Sequence, residues 1–282
     1  MTFFTIAAVQ MPVSSSTENL TAMTQNLDAI MRRFPAVRMV IFSELCAYGP
    51  AKTHAQPAGG PLEQRFREMA MQHNVWLIPG SVYEQDGERI YNMTPVINPQ
   101  GDIVARYRKM FPFLPYETGV EAGTDFCVFD VPKVGRFGIS ICYDKWFPET
   151  TRTMVMMGAE VILQPTMTDT IDRELELTIA RTNAAINQCY FIDVNGVGDC
   201  GNGLSIVVGP AGDVIHQAGS GREIIPVELD LGRVRRERDR GLMSLGQPLK
   251  SYRDRSVDFA AAQTSEKIDD YLKSLGPLQK PV

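Results

Sequence analysis

Glu44, Lys109 and Cys142 each stand where an apolar, β-rich run gives way to a loop. Glu44 closes Met39-Val40-Ile41-Phe42, Lys109 closes Ile103 to Tyr107, and Cys142 closes Phe137-Gly138-Ile139-Ser140-Ile141. A carboxylate, an ammonium and a thiol are the side chains of acid–base and nucleophilic chemistry. In α/β sheets ligands bind outside the carboxyl ends of strands, where loops converge. Each residue alone carries little. A cysteine ending an apolar strand is usually a small buried hydrophobe, a glutamate there a solvated loop residue, and a lysine in Arg106-Tyr107-Arg108-Lys109 surface charge. The argument rests on all three occurring in chain order, each in its own distinctive local sequence.

The elements that must position them alternate between strand and helix. Phe3 to Gln10 is a β-rich opening run. A helix follows with Leu20, Met23, Leu27, Ile30, Met31 and Phe34 on one face, capped by Ser16 or Thr17. Arg38 to Ser43 reads as a buried strand, Pro61 to His73 as an amphipathic helix with Leu62, Phe66 and Met69 inward, and Val75 to Val82 as a strand. Turn signals at Gln85-Asp86-Gly87 and Asn98 to Asp102 mark hairpins, and Met110 to Thr124 is a Pro- and aromatic-rich loop. The plan then repeats. Phe137 to Cys142 is a strand, Pro148 to Gly158 a helix, Val161 to Gln164 a strand, Ile171 to Asn187 a long helix and Cys189 to Val194 a strand. Two further β runs are joined by Gly209 to Asp213. Pro99-Gln100-Gly101-Asp102-Ile103-Val104 and Pro210-Ala211-Gly212-Asp213-Val214-Ile215 are near copies, each late in its half. Two similar α/β halves facing each other are expected.

Composition removes several classes of function. The 282 residues are 44% hydrophobic, enough for one large core or two small ones. A net charge of −5 leaves no footprint for nucleic acid or an anionic membrane. The arginines from Arg233 to Arg240 are interleaved with Glu237 and Asp239 and read as a solvated face. No apolar run approaches the roughly 20 residues of a membrane span, and Met1 to Val13 lacks the features of a secretory signal. The five cysteines are scattered without C-x-x-C, which fits a reducing cytoplasm rather than a disulfide framework. His54, His73 and His216 lack a second ligand at metal spacing, so no metal is assigned.

Phe42-Ser43-Glu44-Leu45, Tyr107-Arg108-Lys109 and Ile141-Cys142-Tyr143-Asp144 with Pro148-Glu149 resemble the three signature segments of the nitrilase, or carbon–nitrogen hydrolase, superfamily. The resemblance continues through Gly158 to Ile162, Ala180 to Tyr190 and the Gly209 to Val214 turn, covering most of residues 3 to 231. It implies a four-layer α-β-β-α sandwich, paired into a homodimer or a higher homo-oligomer. By the same carry-over Glu44 is the general base, Lys109 the oxyanion-stabilising lysine and Cys142 the nucleophile. Lys109 is then expected to favour the thiolate of Cys142, with the backbone N–H of Tyr143 as a second oxyanion donor. The chemistry needs no cofactor.

The loop from Lys109 to Glu117 is similar to that of short-chain aliphatic amidases and formamidases, which carry a second catalytic-site glutamate where Glu117 stands. Thr118-Gly119-Val120-Glu121 lacks the aromatic residue that follows in those enzymes, leaving Glu121 as the alternative. Phe113, Tyr143 and Trp146 are expected to line a narrow pocket with Tyr116, and Thr166 is assigned to substrate binding with them. Tyr143-Asp144, in place of the Trp-Glu usual in nitrilases, favours an amide. Asp144 to Glu149 resembles carbamoylputrescine amidases, which keeps N-carbamoyl amines and amino acids open, with a nitrile as a further alternative. The expected reaction is hydrolysis of a small carboxylic amide to acid and ammonia. The competing non-enzymatic reading, a sandwich that binds an amide or a partner without turnover, gives no reason for all three residue types at strand ends. The expected organisation is a hydrolase domain over residues 1–250 and a tail over 251–282 that docks on the partner subunit.

Overall fold

A computed structural model of the protein describes residues 2–255, 257, 259 and 266–278. The first half contains β1 (Phe3–Gln10), β2 (Pro12–Val13), α1 (Leu20–Arg33), β3 (Met39–Phe42), α2 (Pro61–His73), β4 (Trp76–Ile78), β5 (Val82–Asp86), β6 (Arg89–Ile97) and β7 (Ile103–Arg108). The second contains β8 (Cys127–Val131), β9 (Gly135–Ile139), α3 (Pro148–Met156), β10 (Val161–Thr166), α4 (Arg173–Asn187), β11 (Tyr190–Asn195), β12 (Val197–Gly198), β13 (Ile206–Val208) and β14 (Val214–Gln217). The chain ends with β15 (Glu223–Asp230), α5 (Leu231–Arg240), α6 (Pro248–Arg253) and α7 (Glu266–Ser274).

Strand periodicity builds four layers from these elements. Successive side chains on a strand face opposite ways, so each central strand serves two cores. On β1, Ile6 and Ala8 meet the other sheet while Ala7 and Val9 meet α1 and α2; on β3, Met39 and Ile41 divide from Val40 and Phe42 in the same way. On β10, Val161 and Leu163 turn to the inter-sheet core and Ile162 to the core under α3 and α4. The result is the expected α-β-β-α sandwich. One sheet has the order β15-β1-β3-β4-β6-β5 with β7 on β6, and the other β14-β13-β11-β10-β9-β8. Both are parallel at the centre, β1-β3-β4 in one and β9-β10-β11 in the other.

Two local expectations need correction. The single strand expected from Val75 to Val82 is two, because Pro79-Gly80-Ser81 turns between them. Gly80 has φ +80°, and a Cβ there would lie 1.9 Å from the carbonyl oxygen of Ser43, so β4 ends against the chain that carries Glu44. The cap of α1 is Asn19 rather than Ser16 or Thr17; Ser16 Oγ lies 3.2 Å from Ser14 Oγ instead. β15 returns to pair antiparallel with β1 along its whole length, tying the end of the second half into the first sheet. α6, Pro248–Arg253, spans residue 250.

Candidate active site

Cys142 begins a short 3-10 turn, Cys142–Trp146, directly after β9. Its φ of 44° lies in the left-handed region that non-glycine residues rarely occupy. Such a conformation persists only where its surroundings hold it, and here two side chains do. Gln164 Nε2 donates to the Cys142 carbonyl at 2.8 Å. Asp144 Oδ2 accepts from the Ile141 N–H at 2.8 Å and from the Tyr107 hydroxyl at 2.7 Å, while its Oδ1 accepts from the Phe111 N–H at 2.9 Å. Asp144 therefore clamps the elbow of the thiol to both flanks of Lys109. Burial raises its pKa to about 6, against the pull of the Tyr107 and Ile141 donors.

Lys109 sits at the end of β7 and is almost wholly buried. Its Nζ donates to Glu44 Oε1 at 2.9 Å and to Glu117 Oε2 at 2.7 Å. Glu117 Oε2 also accepts from the Phe113 N–H at 2.6 Å, so the carboxylate closes a ring with its own loop. The structure thus brings Glu117 to the lysine and leaves Glu121 exposed, on the chain beside β6. Asn92 on β6, fully buried, joins the two carboxylates: its Nδ2 donates to Glu44 Oε1 at 2.8 Å and Glu117 Oε1 at 3.1 Å, and its backbone carbonyl accepts from the Lys109 N–H. Glu44 is fixed from the other sheet, its N–H donating to the Thr166 carbonyl at 3.2 Å.

Burial raises Glu44 above the ordinary carboxylate range, Lys109 opposes it and Glu117 adds to it. Burial would also raise Glu117, but Lys109 and the Phe113 and Asn92 donors hold it below. Lys109 loses by burial and gains more from Glu44, Cys142 and Glu117, so its ammonium is held well above the usual value. Lys109 favours the thiolate of Cys142 as expected, but it does not prevail. Burial and then Glu44 push the thiol well above its ordinary value, and the pull of Lys109 is smaller. The surroundings of Cys142 therefore favour the thiol over the thiolate.

The expected pocket aromatics lie together. Phe113 stacks on Tyr116 with ring centroids 4.9 Å apart and tilts against Tyr143 at the same distance. Tyr143 continues the run to Trp146 at 6.0 Å and to Phe147 at 5.3 Å, and Phe147 stacks on Phe111. Thr166 differs from the substrate contact expected of it: it is fully buried, and its hydroxyl, 3.3 Å from Lys145 Nζ, and its carbonyl both serve protein partners. Tyr83, close enough that burial and then Glu117 and Glu44 raise its phenol, was not among the expected residues, nor was Asn92. A polar residue inside the strand Tyr91-Asn92-Met93 was the available signal. Among the described residues no group of three His, Cys, Asp or Glu side chains is placed to hold a metal.

A family model described as carbon-nitrogen hydrolase matches residues 5–239. Omega-amidase NIT2 of Homo sapiens is 27% identical over 285 residues, covering 93% of this chain and 99% of that protein. The N-carbamoylputrescine amidase of Solanum tuberosum is 29% identical over 211 residues, covering 64% of this chain and 68% of that one. The crystal structure of Nit3 from Saccharomyces cerevisiae, a member of branch 10 of the nitrilase superfamily, superposes with a TM-score of 0.79 at 26% identity, covering 84% of this chain and 94% of the other. An amidase from Nesterenkonia sp. shares the fold at a TM-score of 0.75 and 20% identity, with coverage of 84% and 94%. The family model covers the span of both sheets, and the chain belongs to the carbon–nitrogen hydrolase family of the nitrilase superfamily.

Proposed function

We propose that the protein hydrolyses a small carboxylic amide to the acid and ammonia through a thioester on Cys142. The observation that carries this reading is Lys109 held between Glu44 and Glu117 at 2.9 and 2.7 Å, in the field of a neutral thiol. An ammonium has three N–H donors; two meet carboxylates, and the third is the one that takes the developing oxyanion. Glu44 removes the proton from Cys142 as the sulfur attacks the amide carbonyl. The tetrahedral oxyanion forms beside Lys109 Nζ and the Tyr143 N–H, in the first turn of its 3-10 segment, where amides have no partner within the helix. The C–N bond then breaks, and Glu44 returns the proton to the departing nitrogen as ammonia. Water, deprotonated by Glu44, attacks the thioester, releasing the acid and returning the proton to the thiol. Glu117, kept ionised, holds Lys109 charged and in place. Phe113, Tyr143 and Trp146 form an apolar wall that suits a short acyl chain.

An N-carbamoyl amine is the second reading, supported by the 29% identity to the potato enzyme. The five described cysteines are free thiols, which supports a reducing compartment such as the cytoplasm. Ile171, Met156 and Leu175 on the outside of the α3–α4 layer, with Tyr271 and Leu272 on α7, are exposed apolar surface that supports a homodimer with the tail seated on the partner. Ammonia release measured across short amides, N-carbamoyl compounds and nitriles, with intact-mass detection of an acyl group on Cys142, tests the proposal. Turnover without an adduct on Cys142, or preference for a nitrile, overturns it.

A further inference from the structure

Behind Cys142 lies a second set of buried charges. Lys145, in the same 3-10 turn as the thiol, donates from Nζ to Asp193 Oδ2 at 2.6 Å and meets Glu176 Oε2 at 3.1 Å. Arg173 donates to Glu176 Oε2 at 2.8 Å and to both Asp193 oxygens at 3.0 and 3.2 Å. Its NH2 also reaches the Leu204 carbonyl at 2.9 Å. All four side chains are at most 3% exposed. The quartet is neutral as a whole and binds α4 and β11 to the turn of the nucleophile. Asn183, also on α4, adds a bond to the Lys145 carbonyl at 2.9 Å.

One residue links the quartet to the sulfur. Thr168 Oγ1 lies 3.0 Å from Glu176 Oε2 and 4.0 Å from Cys142 Sγ. A hydroxyl has one proton to give, and the carboxylate, itself bound by Arg173 and Lys145, takes it. Thr168 therefore meets the sulfur as an acceptor. Its backbone is fixed on both sides by Asn195, whose Oδ1 accepts from the Thr168 N–H at 3.0 Å and whose Nδ2 donates to the Thr168 carbonyl at 2.8 Å.

The fold does not need these charges. A buried ion cluster stabilises a protein no better than well-packed apolar residues of similar volume, and the first half of this molecule shows the alternative. α2 and α4 end in matching left-handed caps, Asn74 and Gln188, each followed by a strand in the same register. Counting from those caps, Leu62 stands where Glu176 stands, and Pro79 where Asp193 stands. The half without a nucleophile fills these places with apolar residues. The half with one fills them with charge.

We propose that Lys145, Arg173, Glu176 and Asp193 are positioning residues for Cys142. Lys145 anchors the turn that carries the thiol, and Glu176 sets the Thr168 hydroxyl as an acceptor toward the sulfur. Two oppositely charged sets then face Cys142: Glu44 from the end of β3 and Lys109 from the end of β7, and Glu176 from α4 with Lys145 from the turn itself. Because the quartet is balanced, removing one sign at a time changes the thiol in opposite directions.

This inference rests on Cys142 being the nucleophile, and the experiment separates the two. The full-length protein is alkylated with iodoacetamide at pH 8, and the modified cysteine is located by mass spectrometry. Glu176→Gln leaves the quartet net positive and raises the alkylation rate of Cys142 about tenfold, one pKa unit of thiolate. Lys145→Met leaves it net negative and lowers the rate by a similar factor. The double variant restores balance and returns the rate toward wild type. Thr168→Val removes the lone pair that faces the sulfur and raises the alkylation rate of Cys142 a few-fold, and Thr168→Ser returns it to the wild-type value. Rates that rise together in all three charge variants, with Cys46 and Cys189 labelled as well, mark loosened packing and overturn the inference. So does an unchanged rate in both single variants. If Cys142 of the wild type is not labelled while ammonia is still released, the proposed function fails instead.

Discussion

The two halves of this molecule share one frame and divide the chemistry unequally. Ile6 and Met39 pair in one sheet as Phe137 and Val161 do in the other. Met39 pairs onward with Trp76 as Val161 does with Tyr190. In that register Glu44 is the counterpart of Thr166, and Cys142 the counterpart of Met11. The first pair touches, since the Glu44 N–H donates to the Thr166 carbonyl. A repeated scaffold thus offers equivalent strand ends twice, and each half keeps a reactive group at a different one. In the proposed mechanism one half supplies the base and the other the nucleophile, and the near-symmetric packing of two sheets brings Glu44 and Cys142 together.

The comparison predicts unequal costs at equivalent places. Glu44→Gln removes the proton acceptor and lowers turnover by about a thousandfold, the range of a lost general base. Thr166→Val, at the matching place, removes only a hydrogen bond from Lys145, which retains Asp193 and Glu176. Its cost is about 1 kcal/mol of stability and a few-fold in rate. Steady-state kinetics with thermal unfolding of both variants decides it. A Thr166→Val enzyme as inactive as Glu44→Gln breaks the asymmetry.

A smaller contrast lies within one loop. Glu117 accepts from Lys109, Phe113 and Asn92, while Glu121 is exposed. Glu117→Gln leaves Lys109 with one carboxylate and lowers hydrolysis about a hundredfold, the effect of disturbing an oxyanion donor, while Cys142 remains open to alkylation. Glu121→Gln changes the rate a few-fold at most. The reverse ranking assigns the second glutamate one turn further along the loop.

These contrasts follow what the sequence made legible. Glu44, Lys109 and Cys142 were readable because each ends a short apolar run, a local pattern, and because their flanking residues resemble a family. The layers were readable because periodicity reports which face of a strand is buried. Partners across the fold left weaker traces. Asn92 acts only through the pairing of β6 with β7, which no local pattern states. Asp144 stood inside a recognised motif, but its bonds to Tyr107 and Phe111 depend on two sheets meeting. Asp193 interrupts an apolar strand, Phe191-Ile192-Asp193-Val194, and that interruption was the available sign of a buried charge. Arg173 and Glu176 have the composition of an ordinary charged helix start, which carries no local sign of burial. The return of β15 to the first sheet was hidden because periodicity gives a strand's faces and not its neighbours.

Acidity tests the clamp that joins the halves. Asp144 in the folded protein titrates near pH 6, well above an unfolded aspartate. The folded state therefore holds the proton more tightly, and this group's favourable contribution to stability is complete below about pH 4 and lost as pH rises to about 6. Activity runs the other way, because only the carboxylate accepts from Ile141, Tyr107 and Phe111 together. Turnover is expected to fall as pH drops through about 6. Tyr107→Phe removes a donor that lowers the Asp144 pKa, so the acid limb moves upward by about half a unit. A limb that stays in place in Tyr107→Phe belongs to Glu44 alone.

The finest comparison is between two glycines that hold the same turn. Gly101 and Gly212 have φ of +80° and +78°, and each N–H donates back across its turn at 2.9 Å, to Asn98 and to Gly209. An arginine from the adjacent helix binds each glycine carbonyl, Arg67 Nε at 2.6 Å and Arg181 Nε at 3.2 Å. Alanine at either place takes a left-handed backbone and costs about 1 kcal/mol from that alone. The surroundings then separate them. A Cβ on Gly101 meets Met71 Cγ at 2.8 Å and Sδ at 2.9 Å, in a flexible side chain of a residue that is 45% exposed and able to swing into solvent. A Cβ on Gly212 meets Ala185 Cβ at 3.0 Å, which is fixed to the helix backbone and has no rotamer to change. Gly212→Ala must shift the turn against α4, and its loss exceeds that of Gly101→Ala by about 1 kcal/mol. Denaturant unfolding of the two variants measures the difference, and equal losses, or a larger one at Gly101, show that the backbone conformation alone sets the cost.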